Sequence, residues 1–176
     1  MNNDASANKT ATLLKSIAYL IVVAVSLFVA LPIALWLLTR QMIAFHIGLF
    51  KFLGFIPLFS GVAFTVWATI YFPLQSKGTP AHSDPPKKLA TTGLFRHTRN
   101  PMYLGATLTL IGQAILLESP TVLLLAGLAW IFFHLLLVYY EEPELKKRFG
   151  QTYEEYTRTV PRWLLKPPRK NKHDTG

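Results

Sequence analysis

Four apolar runs alternate with polar segments along the chain. The first, Ser16–Leu38, contains no charged residue, and the second, Gly48–Phe72, contains only Lys51 near its start. The third and fourth, Pro101–Leu117 and Pro120–Tyr140, are separated by a short Glu-Ser turn. Because about 20 apolar residues in an α-helix cross the ~30 Å hydrocarbon core of a bilayer, each run predicts a helix at membrane depth. The pattern therefore predicts an all-α membrane protein with about four transmembrane helices, the last two forming a helical hairpin.

Prolines and glycines inside these runs predict local features. Pro32 and Pro57 are expected to bend their helices, because proline has no N–H to donate to the carbonyl one turn earlier. A neighbouring helix is expected to pair the freed carbonyl. Gly54 and Gly61 lie seven residues apart on about the same helix face, where small side chains allow another helix to approach closely.

The charged segment after the fourth run has a helical period. Leu145, Phe149, Tyr153 and Tyr156 recur at spacings of four, four and three, which predicts an amphipathic cytoplasmic helix weakened in its middle by Gly150. We expect one domain with these parts: a flexible N-terminus over 1–15, two transmembrane spans over 16–72, a cytoplasmic Pro-rich loop over 73–100, the hairpin and C-terminal helix over 101–163, and a basic tail over 164–176.

The distribution of positive charge predicts the topology. Of 18 Lys and Arg, two precede the first run, two lie around the first connection, five lie in the central loop and nine follow the fourth run. The positive-inside rule then places both termini and the central loop in the cytoplasm. Despite the net charge of +9, the basic residues flank apolar runs and form no stripe on a polar domain, so no nucleic-acid partner is expected. Cysteine is absent and the histidines lack metal-ligand spacing, so we predict no metal.

The basic stretch Thr91–Gly105 runs directly into the third apolar run. Asn100 and Pro101 are typical of an N-cap and a first helical residue, because asparagine accepts from unpaired backbone donors and proline needs no partner there. The helix N-terminus, with Arg96 and Arg99 just upstream, could bind a carboxylate or a phosphate. Anchoring of these arginines to lipid headgroups explains the same pattern equally well.

Two acidic residues, Glu141 and Glu142, stand where the fourth run ends. Carboxylates are unfavourable at a helix C-terminus and costly near hydrocarbon, so a cation should compensate them. Either an ion pair with Arg96 or Arg99 or a cationic ligand group meets this need. Nearby aromatic residues could form an interfacial belt or stack on a flat cationic ligand: Tyr139, Tyr140, Tyr153, Tyr156 and Trp163. His134, inside the fourth run, is expected to be hydrogen-bonded between helices.

Three motifs in fixed order carry a family resemblance. They are GTPAHSDPPKKLATTGLFRHTRNPMYLG, EEPELKKRFG and YEEYTRTVPRW, which together cover about Gly78–Trp163. With them the chain resembles the integral-membrane methyltransferases that include isoprenylcysteine carboxyl methyltransferase and the phospholipid N-methyltransferases. The first two apolar runs match that family only in being apolar.

The resemblance implies S-adenosylmethionine as the methyl donor and a lipophilic acceptor that enters from the bilayer. It places Arg99 in the cofactor-binding motif and Arg162 in the tail motif, and makes 101–163 the catalytic hairpin and C-terminal helix. We take Arg99 and Arg162 as the candidate catalytic residues, which would orient the acceptor or the cofactor carboxylate. The cofactor-binding residues that it implies are Asn100, Pro101, Tyr103, Leu104, Gly105, Glu141, Glu142, Tyr153 and Tyr156. A carboxylate at Asn100, an ammonium at the glutamates and a sulfonium against aromatic faces would suit the physical character of these groups.

Two departures from the family pattern bear on the acceptor. Asn100 stands where isoprenylcysteine enzymes typically have His, and Thr159 stands where the tail pattern usually has Arg. The first is closer to the phospholipid branch and its bacterial relatives, which favours a bacterial inner membrane over the endoplasmic reticulum. Both an isoprenylcysteine-like carboxylate and an aminophospholipid remain open as acceptors. Two other hypotheses are a membrane reductase of related fold that uses a nicotinamide cofactor, and a non-enzymatic scaffold that binds membrane lipids.

Overall fold

Within the part of the chain that the computed structural model describes, residues 26–41, 46–76 and 88–163, all regular structure is helical. A π-helical turn, Ser26–Ala30, leads into α1, and a 3₁₀ helix, Gly48–Gly54, leads into α2. A second 3₁₀ helix, Gly93–Arg96, precedes α3, and a second π-helical turn, Leu137–Glu141, joins α4 to α5. The α-helices are α1 Leu31–Thr39, α2 Phe55–Ser76, α3 Pro101–Leu116, α4 Pro120–Leu136, α5 Glu142–Phe149 and α6 Gln151–Thr159.

The helices α2 and α3 pack closely along paired glycines. A Cβ atom added to Gly61 would lie 2.6 Å from the Gly105 carbonyl oxygen, and one added to Gly54 would lie 2.7 Å from that of Gly112. Gly54 and Gly61 are seven residues apart in the sequence, and so are their partners Gly112 and Gly105. The small residues therefore form one continuous contact between antiparallel helices. The prediction of a close helix approach at Gly54 and Gly61 is confirmed.

The first helical segment is joined to α3 by a polar contact. Pro32 cannot donate to the carbonyl of Phe28, four residues earlier, and the chain around Phe28 forms a π-helical turn. The side-chain amide of Gln113 in α3 donates to this carbonyl oxygen at 2.7 Å. The freed carbonyl is therefore paired by a neighbouring helix, as the sequence predicts. The first ten residues of the expected first span, 16–25, lie outside the described residues.

The predicted hairpin of α3 and α4 is confirmed, with a tight turn at Glu118 and Ser119. Glu118 has φ +50°, and the Ser119 side chain caps α4 by accepting from the N–H of Val122 at 3.3 Å. One carboxylate oxygen of Glu118 accepts from the N–H groups of Ile47 and Gly48 at 3.0 and 3.2 Å. Glu118 thus ties the hairpin turn to the beginning of the helix that leads into α2.

The fourth span and the C-terminal helix differ from the prediction. The helix does not end at Tyr140 but continues through the π-helical turn and α5 to Phe149. Gly150, with φ +52°, then ends it, so the predicted amphipathic helix is divided into two. A positive φ favours glycine, and across this break Lys146 of α5 forms an ion pair with Glu154 of α6 at 2.8 Å.

Two helices are long and apolar enough to cross a membrane, Gly48–Ser76 and Pro120–Phe149. Two shorter apolar helices, Ser26–Thr39 and Pro101–Leu116, accompany them within the described residues. The predicted count of four spans therefore stays a prediction. The helix α2 extends to Ser76, so the loop expected from residue 73 begins later, and residues 77–87 lie outside the described part.

Candidate active site

Two distant segments pair side by side just before α3. The N–H of Arg99 donates to the carbonyl oxygen of Pro161 at 3.0 Å. The Thr98 hydroxyl and the Asn100 amide both donate to the carbonyl oxygen of Arg162, at 3.1 and 3.3 Å. Thr98 is completely buried. These contacts join the basic stretch before α3 to the segment after α6, which are the first and third motifs of the sequence analysis.

Asn100 occupies the predicted N-cap position but does not cap the helix with its side chain. Pro101 is the first residue of α3, as predicted, and the Asn100 carbonyl accepts from the N–H of Leu104 at 3.0 Å. The expected side-chain hydrogen bond to a backbone N–H of α3 is wrong, because the amide group is directed to the Arg162 carbonyl instead. The residue therefore links the helix to the C-terminal segment.

Glu142 lies between two arginines. Its Oε1 accepts from Nη1 of Arg99 at 3.0 Å and from Nε of Arg162 at 2.6 Å, and its Oε2 accepts from Nη2 of Arg162 at 2.8 Å. The side chains of Arg99, Glu142 and Arg162 are only 13%, 19% and 28% exposed. The hydrogen bonds to the carboxylate raise the pKa of Arg162 above its ordinary value. The predicted ion pair with Arg99 is confirmed, whereas the side chain of Arg96 is exposed.

The charged network contains a buried donor that is unpaired within the described part of the chain. This donor is Nε of Arg99, for which no hydrogen-bond partner is found among the described residues. A buried donor on a guanidinium is costly to leave unpaired, so this atom is suited to an anionic group from outside the chain. Of the two arginines named for the expected anion site, Arg99 is therefore the one whose side chain has a buried donor for the anion.

Glu141 has a different environment from its neighbour. Its carboxylate accepts a hydrogen bond from the hydroxyl of Tyr103 in α3, whose ring packs against Phe133 with centroids 4.8 Å apart. Glu141 closes the π-helical turn and Glu142 opens α5. Because a π-helical turn shifts the register of the residues that follow it, consecutive glutamates reach different partners on the inner side of one helix.

The four other tyrosines of the candidate region, besides Tyr103, fall into two classes. Tyr139 and Tyr140 are 68% and 72% exposed, as expected of an interfacial belt. Tyr153 and Tyr156 are buried with Val160, and the Tyr156 hydroxyl donates to the carbonyl oxygen of Phe95 at 2.7 Å. Burial raises the pKa of both buried tyrosines, so their hydroxyls stay protonated near neutral pH.

A small pocket of about 50 Å³ opens between these groups. It is much smaller than the ~300–1,000 Å³ of typical small-molecule sites, so the described residues enclose only part of such a site. Both polar and apolar side chains line the pocket. The lining residues are Phe72, Lys88, Leu89, Ala90, Phe95, Arg99, Asn100, Leu137, Glu142, Leu145, Phe149, Tyr153 and Tyr156.

The structure therefore brings together five of the predicted site residues at the pocket: Arg99, Asn100, Glu142, Tyr153 and Tyr156. Arg162 joins them through Glu142. Tyr103 and Glu141 form a separate pair, Pro101 is buried and Leu104 is half-buried. Gly105 faces α2, where an added Cβ would lie 2.5 Å from Oγ1 of Thr65. The geometry thus gives Gly105 a role in helix packing.

Sequence reasoning missed two contributors to this region. Thr98 and Phe95 provide a buried hydroxyl and a carbonyl for the C-terminal segment, and only their position just before the N-cap marks them in the sequence. The predicted hydrogen bond of His134 is confirmed, but its donor is Trp163 at 3.2 Å, which is on no helix. Among the described residues, no group of His, Cys, Asp and Glu could hold a metal ion.

Comparison with known proteins gives relatives of this chain among methyltransferases. Protein-S-isoprenylcysteine O-methyltransferase B of Arabidopsis thaliana is 36% identical over 75 residues, which are 42% of this chain and 38% of that protein. The probable protein-S-isoprenylcysteine O-methyltransferases of Oryza sativa subsp. indica and subsp. japonica are each 34% identical over 80 residues, 45% of this chain and 41% of theirs. The chain thus spans about two fifths of the length of these curated relatives.

The family comparison covers more of the chain. A model described as phospholipid methyltransferase matches residues 17–152 of the 176. This family and the two long apolar helices support association with a membrane. The relatives above are plant proteins, so they lend no support to the predicted preference for a bacterial membrane. With the match extending over more than half of its length, the chain belongs to the phospholipid methyltransferase family.

Proposed function

We propose that this protein transfers a methyl group from S-adenosylmethionine to a lipophilic acceptor that resides in the membrane. The observation that carries the proposal is the network of Arg99, Glu142 and Arg162, which joins all three motifs in one partly buried place. Family membership supports methyl transfer over the reductase and the scaffold, and no observation favours either of those two.

The residues of the site fit the donor molecule. Nε of Arg99, which is unpaired among the described residues, suits the carboxylate of S-adenosylmethionine. The rings of Tyr153 and Tyr156 line the same pocket as Arg99 and suit the sulfonium of the donor. The bound donor supplies an electrophilic methyl group on a sulfonium. The chain's own part is to orient the reactants and to exclude water, since displacement at carbon requires an in-line approach.

The two glutamates divide the work between them. Both oxygens of Glu142 are occupied by guanidinium groups, so its role is to orient Arg99 and Arg162. Glu141 accepts only the hydroxyl of Tyr103 among the described contacts, and its remaining acceptor capacity suits an ammonium or a ribose hydroxyl. We therefore assign the donor's cationic end to Glu141 in preference to Glu142.

The acceptor enters from the bilayer beside the helices that carry the site. We propose four spans with both termini in the cytoplasm, which places the motifs on the face where soluble S-adenosylmethionine is available. The names of the plant relatives favour an isoprenylcysteine-like carboxylate, and the family description favours an aminophospholipid. Arg162 would orient a carboxylate or a phosphate of either acceptor.

Thermal unfolding with S-adenosylhomocysteine tests the donor assignment without knowledge of the acceptor. A ligand of the native state at 100 times its dissociation constant stabilises by ~2.7 kcal/mol, so a saturable upward shift of Tm is expected. Glu141→Gln and Arg99→Gln should weaken the shift, whereas Lys147→Gln, on the exposed side of α5, should preserve it. Equal shifts in all three variants would refute the site.

Transfer of a labelled methyl group then identifies the acceptor. The purified protein is given an S-prenylated cysteine with a free carboxylate in one reaction and vesicles of an aminophospholipid in another. Base-labile product from the first indicates a methyl ester, and base-stable product from the second indicates an N-methyl group. Absence of product from both reactions, together with absence of the thermal shift, would contradict the proposed function.

A further inference from the structure

Three aromatic rings join the end of the C-terminal segment to α4. The indole N–H of Trp163 donates to Nδ1 of His134 at 3.2 Å. The Trp130 ring lies 5.5 Å from the His134 ring and 5.8 Å from the Trp163 ring, measured between centroids. We call this group, Trp130, His134 and Trp163, the aromatic clamp.

The hydrogen bond between these rings has a fixed direction. An indole N–H can only donate, so Nδ1 of His134 is the acceptor. The contact is thus directional, which distinguishes it from the general packing of aromatic residues at a membrane interface.

The clamp begins at the residue directly after Arg162. The backbone just before it is held by Arg99 and by Thr98 and Asn100, through the carbonyl oxygens of Pro161 and Arg162. Trp163 supplies the attachment on the other side. The bidentate pair of Arg162 with Glu142 needs one orientation of the guanidinium. Because a fixed backbone reduces the number of conformations that the long side chain must give up, attachment on both sides of Arg162 favours this pair.

We propose that His134, acting through Trp163, is a positioning residue that holds the guanidinium of Arg162 on Glu142. The significance for catalysis rests on the proposed function, in which that guanidinium orients a reactant. The proposal assigns a specific role to a histidine that lies inside a predicted membrane span, where polar residues are costly to keep.

The first test needs no ligand. Selective ¹⁵N labelling of arginine follows the Nε–H of Arg162, which donates to Glu142 at 2.6 Å and should exchange slowly with water. In His134→Leu the acceptor is lost, and we expect exchange of this proton to accelerate several-fold. In His134→Asn an amide oxygen can stand close to the place of Nδ1, and slow exchange should return. Unchanged exchange in His134→Leu would overturn the proposal.

The indole group gives an independent view of the same contact. The chain has four tryptophans, so ¹⁵N-tryptophan labelling gives four indole signals, and Trp163→Phe assigns one of them. That signal should shift in His134→Leu and stay in place in His134→Asn. Trp36→Phe is the matched control, since the Arg40 guanidinium lies 5.3 Å from the Trp36 ring centroid and, among the described residues, the ring contacts of the clamp do not include Trp36. A Trp163 signal that is identical in His134→Leu would also overturn the proposal.

Affinity for S-adenosylhomocysteine connects the clamp with the proposed function. Loss of one hydrogen bond that positions a charged group is expected to weaken binding about three- to tenfold in His134→Leu and in Trp163→Phe. In an Arg162→Gln background, the same changes should have no further effect, because the residue through which they act is gone. Equal losses in both backgrounds would mean that the clamp acts through general packing and would refute the positioning role.

The two possible failures are distinguishable. If the wild-type protein does not bind S-adenosylhomocysteine, the proposed function is contradicted, and the exchange of the Arg162 Nε–H still decides the positioning role. If the wild-type protein binds it and His134→Leu binds it equally well with unchanged exchange, the proposed function stands and the positioning role is wrong.

Discussion

Replacement of Glu142 by Gln removes the one negative charge between two guanidinium groups. The amide keeps the size of the side chain but can no longer accept charge-assisted hydrogen bonds at both positions, and its N–H₂ group would face a donor. Three hydrogen bonds of 2.6–3.0 Å are weakened or lost, and Arg99 and Arg162 are left to repel each other in a partly buried site.

The expected cost follows from the burial of these groups. Removing one partner of a fully buried ion pair costs about 3–5 kcal/mol. The three side chains are 13–28% exposed, so water screens part of the repulsion between the two guanidinium groups. We therefore expect a loss of folding free energy at the lower end of this range, about 3 kcal/mol. For a chain of this size the loss corresponds to a fall in Tm of ~6–12 °C.

A matched control lies two residues away on the same helix. Glu144 pairs with Arg148 at 3.0 Å, but its side chain is 59% exposed and the pair is of the i,i+4 type. Glu144→Gln should therefore cost no more than about 0.5 kcal/mol. The assay is thermal unfolding of the detergent-purified variants, followed by circular dichroism. If Glu142→Gln lowers Tm no more than this small effect of Glu144→Gln, the network does not stabilise the fold and the reasoning is refuted.

Three further predictions concern the scaffold that holds the site, each measured by the stability of the purified variants. Gly61→Ala should destabilise the protein by about 1–3 kcal/mol, because the added Cβ meets backbone atoms of α3. Gly127→Ala is the control and should be neutral or slightly stabilising, because the space around Gly127 is open. Equal stability of the two variants would contradict the close contact. Gln113→Leu should cost about 1–3 kcal/mol, because the carbonyl of Phe28 loses its partner, and wild-type stability would refute that role. Burial acts to raise the pKa of Glu118, but hydrogen bonds from the Ile47 backbone and the His46 side chain outweigh this effect and lower the pKa. The contribution of Glu118 to stability is therefore present above the ordinary pKa range of a carboxyl group, and it is lost as the pH falls through the lowered pKa. Glu118→Gln should reduce that acid sensitivity, and an unchanged pH profile would contradict it.

Local signals predicted the hairpin and the helix packing correctly. Pro101 and Pro120 mark the first turns of α3 and α4, and the Glu-Ser turn between them is too short for anything but antiparallel neighbours. The seven-residue spacing of Gly54, at the end of the 3₁₀ helix, and Gly61, in α2, marks a face of this helical segment that a partner can approach. Such features depend on residues close together in the chain, which is why the sequence alone reveals them.

The helix boundaries at the membrane edge were harder to predict. Hydropathy changes sharply after Tyr140, but a change in hydropathy does not end a helix, and the backbone continues through a π-helical turn to Phe149. The interruption comes at Gly150, where φ is positive. Sequence reasoning recognised Gly150 as a weak point, yet it did not predict that this residue would divide the helix.

The partners of the site residues could not be predicted from local patterns. Asn100 has the sequence signature of an N-cap, and the structure keeps its position but redirects its side chain to a carbonyl 62 residues away. Likewise, the second arginine on Glu142 comes from the segment after α6. An acidic pair next to a basic stretch predicts compensation of charge, but only the folded chain decides which cation compensates which carboxylate.

The division of charge in the site argues for a zwitterionic ligand. Arg99, Glu142 and Arg162 together carry one net positive charge, and the unpaired donor of that cluster is Nε of Arg99. Glu141, the next residue along the helix, carries a carboxylate that meets only the hydroxyl of Tyr103 among the described contacts. A ligand with both a carboxylate and an ammonium, such as the amino-acid part of S-adenosylmethionine, carries a group of opposite charge for each of these two side chains. This match of charge supports the proposed donor, and because Glu141 is not among the residues that line the pocket, Glu141→Gln is the variant that tests it.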